Sequence, residues 1–229
     1  MTRPIPPLAM KRGFTAALLA ITALSLAGCD EAPTKTAVAP TKTEVTQSPK
    51  PAQAEAAKSF DAAVAAYDRQ DYATALRIFR ELAAQGHARA QWQLGVEYVQ
   101  GRDVPQDYKE AARLYGLAAV QGHADAQYNL GVMYGKGQGV AQDYKEAVRL
   151  WGLAAAQGHA RAQNNLGTMY EVGTGVAQDY VRAHMWFNLR AVSDDSKSAS
   201  AKRDEVAAKM TPAQIAEAQK LAAEWKPKN

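Results

Sequence analysis

Apolar residues in the middle of the chain recur with the spacing of helix faces. One stripe within residues 125–160 follows the i, i+4, i+7, i+8 pattern and consists of Ala126, Leu130, Met133 and Tyr134. After a glycine-containing loop, a second stripe consists of Ala147, Leu150, Trp151 and Ala154. Each stripe is one-sided, so the segment predicts two amphipathic helices, helix A and helix B of one unit.

The unit is repeated along the chain. Gly95, Gly131 and Gly167 are 36 residues apart, and tyrosines, Asp-Tyr pairs and Gly-His pairs fall on the same grid. A fixed period of this length is typical of a solenoid, in which each unit buries its apolar face only by stacking on the next. The copies are residues 89–124, 125–160 and 161–193, preceded by a degenerate copy in residues 57–88. We therefore predict an all-α fold, an α-solenoid of helix pairs.

Glycine and aspartate mark the helix ends within a unit. Gly137 can take the positive φ that often follows a helix, which predicts the end of helix A. Asp143 predicts the N-cap of helix B, with Glu146 three residues on to complete a capping pair. Gly131 lies inside helix A, where glycine is about 1 kcal/mol less favourable than alanine. Its recurrence predicts a close approach of helix B.

Residues 194–229 predict a helical cap for the C-terminal end of the solenoid. Residues 193–200 are polar and predict a loop, whereas residues 201–210 and 212–225 predict two further helices. Thr211 is suited to an N-cap and Pro212 to the first helical position. A solenoid end needs a polar outer face to prevent further stacking, and these helices can supply it.

Residues 1–28 have the organisation of a bacterial lipoprotein signal peptide. A basic segment at Met10, an alternative start to Met1, precedes an apolar run in residues 14–26. That run is shorter than the roughly 20 apolar residues that a membrane-spanning helix needs, but it suits the apolar region of a signal peptide.

The apolar run ends in Leu-Ala-Gly followed by Cys29. These four residues resemble the lipobox of bacterial lipoproteins, which implies cleavage before Cys29 and lipidation of that residue. The alternative is an ordinary secretory signal that ends in cysteine. Lipidation predicts a location in the bacterial cell envelope, anchored to a membrane and facing the periplasm, and Asp30 favours the inner membrane. Residues 29–56, rich in Pro, Thr, Lys and Ala, predict a disordered tether.

Three motifs carry a family resemblance. The segments A-Q-x-x-L-G-x-x-Y, G-x-G-V-x-Q-D-Y and A-A-x-Q-G-H-A resemble Sel1-like repeats, and residues 57–88 resemble a tetratricopeptide repeat with a shorter loop. Asp103 departs from the pattern because it replaces the second loop glycine. The resemblance implies right-handed helix pairs stacked into a superhelix with a concave face. It also implies an adaptor role in protein complexes, frequently in bacterial envelopes.

Charge and cysteine content exclude several classes of function. The net charge is +4, but residues 1–28 hold three basic residues and no acid, which leaves 24 basic and 23 acidic residues in the remainder. No segment is strongly basic, so we expect no nucleic-acid partner. Cys29 is the one cysteine, which excludes internal disulfides and thiolate metal sites.

The histidines and aspartates that recur are explained without catalysis. His87, His123 and His159 occupy equivalent junctions, and packed helices about 8–10 Å apart keep them from sharing a metal ion. We expect each to bond a nearby backbone carbonyl, and we expect His184 to be a packing residue. Asp107, Asp143 and Asp179 lie at helix starts, where capping accounts for them. We therefore predict no catalytic residue, no metal site, no cofactor and no enzymatic activity.

Partner binding is predicted at the helix A positions that differ between units while the framework is kept. The tetratricopeptide pattern implies that such positions face the concave groove. They are Trp92, Val96 and Gln100, then Tyr128, Val132 and Lys136, then Asn164, Thr168 and Val172. A groove of this composition suits a peptide with an apolar anchor. The alternative is that Trp92 and Tyr128 simply pack between units.

The leading hypothesis is an envelope-tethered scaffold or adaptor that binds an envelope protein or peptide in its concave face. One alternative is a cell-wall hydrolase or β-lactam-binding protein. That activity has been ascribed to cysteine-rich Sel1-like proteins, whereas these repeats lack cysteine. Another alternative is a structural component of an envelope or polysaccharide-secretion assembly.

Overall fold

The computed structural model describes residues 51–194 and 197–228. Residues 1–50 lie outside the described part, and with them the predicted signal peptide, Cys29, Asp30 and most of the predicted tether. Within the described residues the chain forms ten α-helices and no strand, which confirms the all-α prediction. None of these described helices combines the length and the apolar character needed to cross a membrane.

The helices follow one another along the chain as antiparallel pairs of similar length. They are α1 (Pro51–Asp68), α2 (Tyr72–Ala84), α3 (Ala88–Gln100), α4 (Tyr108–Val120), α5 (Ala124–Lys136), α6 (Tyr144–Ala156), α7 (Ala160–Val172), α8 (Tyr180–Asp194), α9 (Lys197–Ala207) and α10 (Pro212–Glu224). Each helix from α1 to α8 packs on the next one in the chain, and α10 packs on α8. The architecture is an all-α solenoid in which α3, α5 and α7 are the A helices and α4, α6 and α8 the B helices.

The glycine inside each helix A lets helix B approach closely, as predicted. A Cβ added to Gly131 would lie 2.7 Å from Nε1 of Trp151. At Gly95 and Gly167 it would lie 2.6 Å from the rings of Tyr115 and Phe187, respectively. Contacts this short are not tolerated, so a large aromatic ring on helix B occupies the space that the missing side chain leaves.

The predicted helix ends are confirmed. Gly137 has φ +66° and caps α5, and Asp143 Oδ1 accepts hydrogen bonds from the backbone N–H groups of Lys145 (2.9 Å) and Glu146 (3.0 Å). The expected capping pair is wrong in one respect. The carboxylate of Glu146 pairs with Arg149 at 2.6 Å, because the guanidinium one turn on offers two donors to its two oxygens.

Two predicted boundaries are wrong. α1 begins at Pro51, so it takes in the last part of the segment interpreted as a tether, whose alanines favour a helix. The loop predicted for residues 193–200 is also too long, because α9 begins at Lys197. Ala199 and Val206 bury one face of α9, and α9 packs on α8, so tertiary packing overrides the polar local sequence.

Candidate partner-binding groove

A groove of about 260 Å³ lies between the A helices α3 and α5, with α4 behind it. Four of the predicted partner-binding residues line it together, namely Val96, Gln100, Val132 and Lys136. Six further lining residues were not among the predicted ones, namely Val99, Tyr108, Tyr115, Asn129, Met133 and Gln138. Val99 is a helix A position that differs from Gly135 and Glu171 in the other units, which is the signal that would have found it.

The groove has an apolar wall and a polar rim. Val96 and Val132 are half-buried, whereas Gln100 and Lys136 are exposed near the helix ends. Behind them Tyr115 is buried, and burial raises the pKa of its hydroxyl, which bonds Asn129. The phenol therefore stays protonated at neutral pH. The lining offers apolar contact, amide hydrogen bonds and one ammonium group.

Trp92 and Tyr128 do not line this groove. The Trp92 ring stacks on His123, with centroids 5.3 Å apart, and Tyr128 stacks on His159 at 4.6 Å. Each ring therefore packs against the residue that caps the following helix A, which agrees with the alternative considered for these two positions. Trp92 Nε1 is buried without a hydrogen-bond partner.

The third set of predicted residues lies on α7, away from the groove between α3 and α5. Thr168 Oγ1 donates to the backbone carbonyl of Asn164 at 3.2 Å, a bond within the helix itself. Val172 is 61% exposed at the end of α7. The structure therefore separates these three residues from the four that line the groove.

The junction histidines are helix N-caps, so the prediction that they bond backbone carbonyls is wrong. Their Nδ1 atoms accept from the backbone N–H groups of Ala90, Ala126 and Ala162, at 3.3, 3.3 and 3.2 Å. The first amides of a helix lack intrahelical partners, and an imidazole placed just before the helix can satisfy one of them as an acceptor. Burial lowers the pKa of both His87 and His123, which favours the neutral ring that this role requires.

His159 makes an additional contact to the preceding helix A, α5. Its Nδ1 accepts from the backbone, so its ring proton lies on Nε2, which is 3.3 Å from Oδ1 of Asp125. The hydrogen bond from His159 lowers the pKa of Asp125. The pair links α5 to the start of α7 and is a structural contact.

A buried glutamine ladder also joins successive units, and sequence reasoning missed its role. Gln91 and Gln127 each donate from Nε2 to a helix carbonyl, that of Ala83 at 3.2 Å and of Ala119 at 3.1 Å. Each also accepts from the glutamine that ends the next B helix, at 2.8 Å: Gln121 for Gln91 and Gln157 for Gln127. Both glutamines recur within the quoted motifs, and that recurrence is the signal that could have identified the ladder.

The remaining histidine, His184, lies in the interior of α8. His184 is buried, as expected of a packing residue, and burial together with Arg203 lowers its pKa. Among the residues that the structure describes, no group of three or more His, Cys, Asp or Glu side chains could hold a metal ion.

Two solved structures are similar to the chain. A Sel1 repeat protein from Oxalobacter formigenes is 29% identical with a TM-score of 0.56, over 63% of this chain and 59% of that chain. A protective antigen present in uropathogenic Escherichia coli strains, displaying an SLR fold, is 25% identical with a TM-score of 0.54. That match covers 76% of this chain and 46% of the antigen. The chain thus spans about half the length of these two proteins, and no curated protein matches it.

The sequence profile described as Sel1 repeat matches residues 66–87, 88–123, 124–159 and 160–189, which is more than half of the chain. Proteins with these repeats are generally scaffolds for protein–protein interaction, and their fold is typically non-catalytic. The first matched segment covers the end of α1 and α2, and the other three begin at or just before an A helix and run into or through the B helix. By repeat sequence and by fold, the chain belongs to the Sel1 repeat family.

Proposed function

We propose that this protein is a non-enzymatic scaffold that binds a protein or peptide of the cell envelope in the groove between α3 and α5. The observation that carries the proposal is the groove itself, where Val96 and Val132 form an apolar wall beside Gln100 and Lys136. A side chain of the partner would bury apolar surface against the valines. The Lys136 ammonium at the rim would favour a carboxylate on the same segment.

The test is co-purification from solubilised membranes with a groove variant. Val132→Asn adds a polar group to the apolar wall, and Lys136→Glu reverses the charge at the rim. We expect the double variant to co-purify at least about tenfold less partner than the wild type, which corresponds to the loss of one anchoring contact. A matched control is Val172→Asn, since Val172 is exposed on α7 outside the groove.

The outcome against this proposal is equally concrete. If the double variant keeps the melting temperature of the wild type and still captures its partner in full, the groove is not the binding surface. Crosslinks that map only to α4, α6 and α8 would instead favour a structural role carried by the B helices.

We further propose that the protein is held at a bacterial membrane through a lipid on Cys29, facing the periplasm. The sequence Leu-Ala-Gly-Cys after an apolar segment supports this proposal, and Asp30 supports retention at the inner membrane. The measurement is metabolic labelling with a palmitate analogue followed by membrane fractionation. Cys29→Ser should abolish the label, and labelling that persists in this variant would exclude the anchor.

A further inference from the structure

Residues 225–228 follow α10 and lie back on the repeats. Trp225 has φ −69° and ψ 136°, so the chain is extended there. The Lys228 N–H donates to the backbone carbonyl of Ala156 at 2.7 Å. The Trp225 ring meets Trp186 edge-on, with centroids 6.4 Å apart, and passes 4.0 Å from where a Cβ on Gly158 would lie. An extended segment therefore occupies the furrow between the B helices α6 and α8.

The same furrow exists two repeats earlier, between α2 and α4, and it is open there. The residues equivalent to Ala156, Gly158 and Trp186 are Ala84, Gly86 and Leu114. All three line a groove of about 400 Å³ that has α3 as its floor. We name this the α2–α4 groove. It lies on the B-helix side and shares no lining residue with the groove between α3 and α5.

The α2–α4 groove has the features that receive residues 225–228 on the later repeat. No atom lies within 4 Å of where a Cβ on Gly86 would be, which is the space that the tryptophan ring takes at Gly158. Leu117 is 39% exposed and supplies apolar surface in the groove, whereas Leu114 beside it is buried. Ala84 is the last residue of α2. The last carbonyl groups of a helix have no intrahelical N–H donor, and the carbonyl of Ala156 at the end of α6 accepts from the N–H of Lys228 instead.

We propose that the α2–α4 groove binds an extended segment of a partner protein that carries a tryptophan, as residues 225–228 do. The tryptophan would lie over Gly86 and against Leu117. A backbone N–H of the segment would reach the carbonyl end of α2. This is a second binding surface, independent of the one proposed between α3 and α5.

The experiment measures fluorescence anisotropy of a labelled synthetic peptide of residues 221–228 with the full-length protein in detergent. A second peptide carries Trp225→Ala. We expect the first peptide to bind and the second to bind at least about tenfold more weakly, because the ring supplies most of the buried apolar surface. Absence of binding of the first peptide up to about 1 mM would overturn the proposal.

The position is tested with matched protein variants. Leu117→Lys removes apolar surface and repels a basic peptide, so it should weaken binding at least about tenfold. Val64→Lys is the control, because Val64 is 37% exposed on α1 and carries the same change of charge outside the groove. Equal affinity in the two variants would contradict the proposal. Val132→Asn should leave peptide binding unchanged, which separates this surface from the groove between α3 and α5.

A direct readout does not depend on how the variants fold. A peptide with a photoreactive phenylalanine at the position of Trp225 is irradiated on the wild-type protein, and crosslinks are mapped by mass spectrometry. Crosslinks on α2 and α4 support the proposal. Crosslinks confined to α6 and α8 would mean that the peptide has replaced residues 225–228 in their own furrow, and the proposal would be wrong.

Discussion

At the residue scale, the junction histidines combine two tasks in one side chain. His123 caps α5 through Nδ1 and stacks its ring on Trp92 of the preceding helix A. His87 does the same for α3 and stacks on Phe60 at 5.3 Å. One residue thus fixes where a helix begins and how two units pack, which accounts for its recurrence at every junction without any chemical role.

Because burial lowers the pKa of His123 in the folded protein, its neutral form is the one that stabilises the fold. This stabilisation is present above the unfolded-state pKa of about 6.5 and is lost as the pH falls through the lower folded-state value. We therefore expect the melting temperature to fall between pH 7 and pH 5. His123→Asn keeps an N-cap acceptor that does not titrate, so calorimetry should show a smaller fall in the variant. An equal fall in both proteins would contradict the assignment.

Alanine substitution at two glycines of the same unit should change the stability of the fold in opposite directions. At Gly131 an added Cβ meets Trp151, whose Nε1 donates to the Tyr128 carbonyl at 3.2 Å, so we expect Gly131→Ala to destabilise the fold by about 1–3 kcal/mol. At Gly152 no atom lies within 4 Å of an added Cβ, so Gly152→Ala should stabilise helix α6 by up to about 1 kcal/mol. Urea unfolding of both variants measures the contrast. A similar effect at both sites would rule out close packing as the reason for Gly131.

At the scale of the element, each B helix begins with an aspartate cap and a surface ion pair one turn on. Asp107 and Asp143 each accept two backbone N–H bonds, and Glu110 and Glu146 each hold an arginine. The ion pairs are exposed on their arginine side, so each adds at most a few tenths of a kcal/mol. The cap is the larger contribution.

Asp143→Ala should lower the free energy of unfolding by about 1 kcal/mol, since two amides at the start of α6 lose their acceptor. Asp143→Ser keeps an acceptor and should retain most of the stability. The same urea titration compares both with Glu146→Gln, which removes only the ion pair and is expected to change little. A larger loss for Glu146→Gln than for Asp143→Ala would reverse this ranking.

At the scale of the whole molecule, the main helix contacts of the described residues join elements that are close in the chain. Each helix from α1 to α8 packs on the next, and α10 packs on α8. Stability is then a sum of unit and interface contributions, and a local defect need not unfold the distant end. A defect introduced at one end should therefore remain at that end.

Phe79→Ala tests this locality. Phe79 is 2% exposed in α2, and removal of a buried phenylalanine ring destabilises by about 3–5 kcal/mol. Amide exchange followed by mass spectrometry should show faster exchange in α1 to α3 and unchanged exchange in α8 to α10. Val64→Ala, at an exposed site on α1, serves as the control. Faster exchange throughout the described helices would indicate one cooperative unit.

The features that the sequence predicted well are local ones. The helices and caps such as Asp143 and Thr211 depend on residues a few positions apart, and the 36-residue period repeats these local patterns along the chain. Helical spacing, N-cap chemistry and the positive φ after a helix act within one or two turns, so they can be predicted from the sequence alone. The glycine of helix A was also informative, because a destabilising residue that recurs implies a packing reason.

The tertiary structure decided what each surface does. Val96 and Trp92 are on the same helix and were predicted together, yet one lines a groove and the other stacks on His123, because the neighbouring helices determine which helix face is covered. The Gln91–Gln121 bond and the Lys228–Ala156 bond join residues far apart in sequence, so no local pattern encodes them. Local chemistry determined the repeat and its helices. The stacking of the repeats determined which surfaces stay open to a partner.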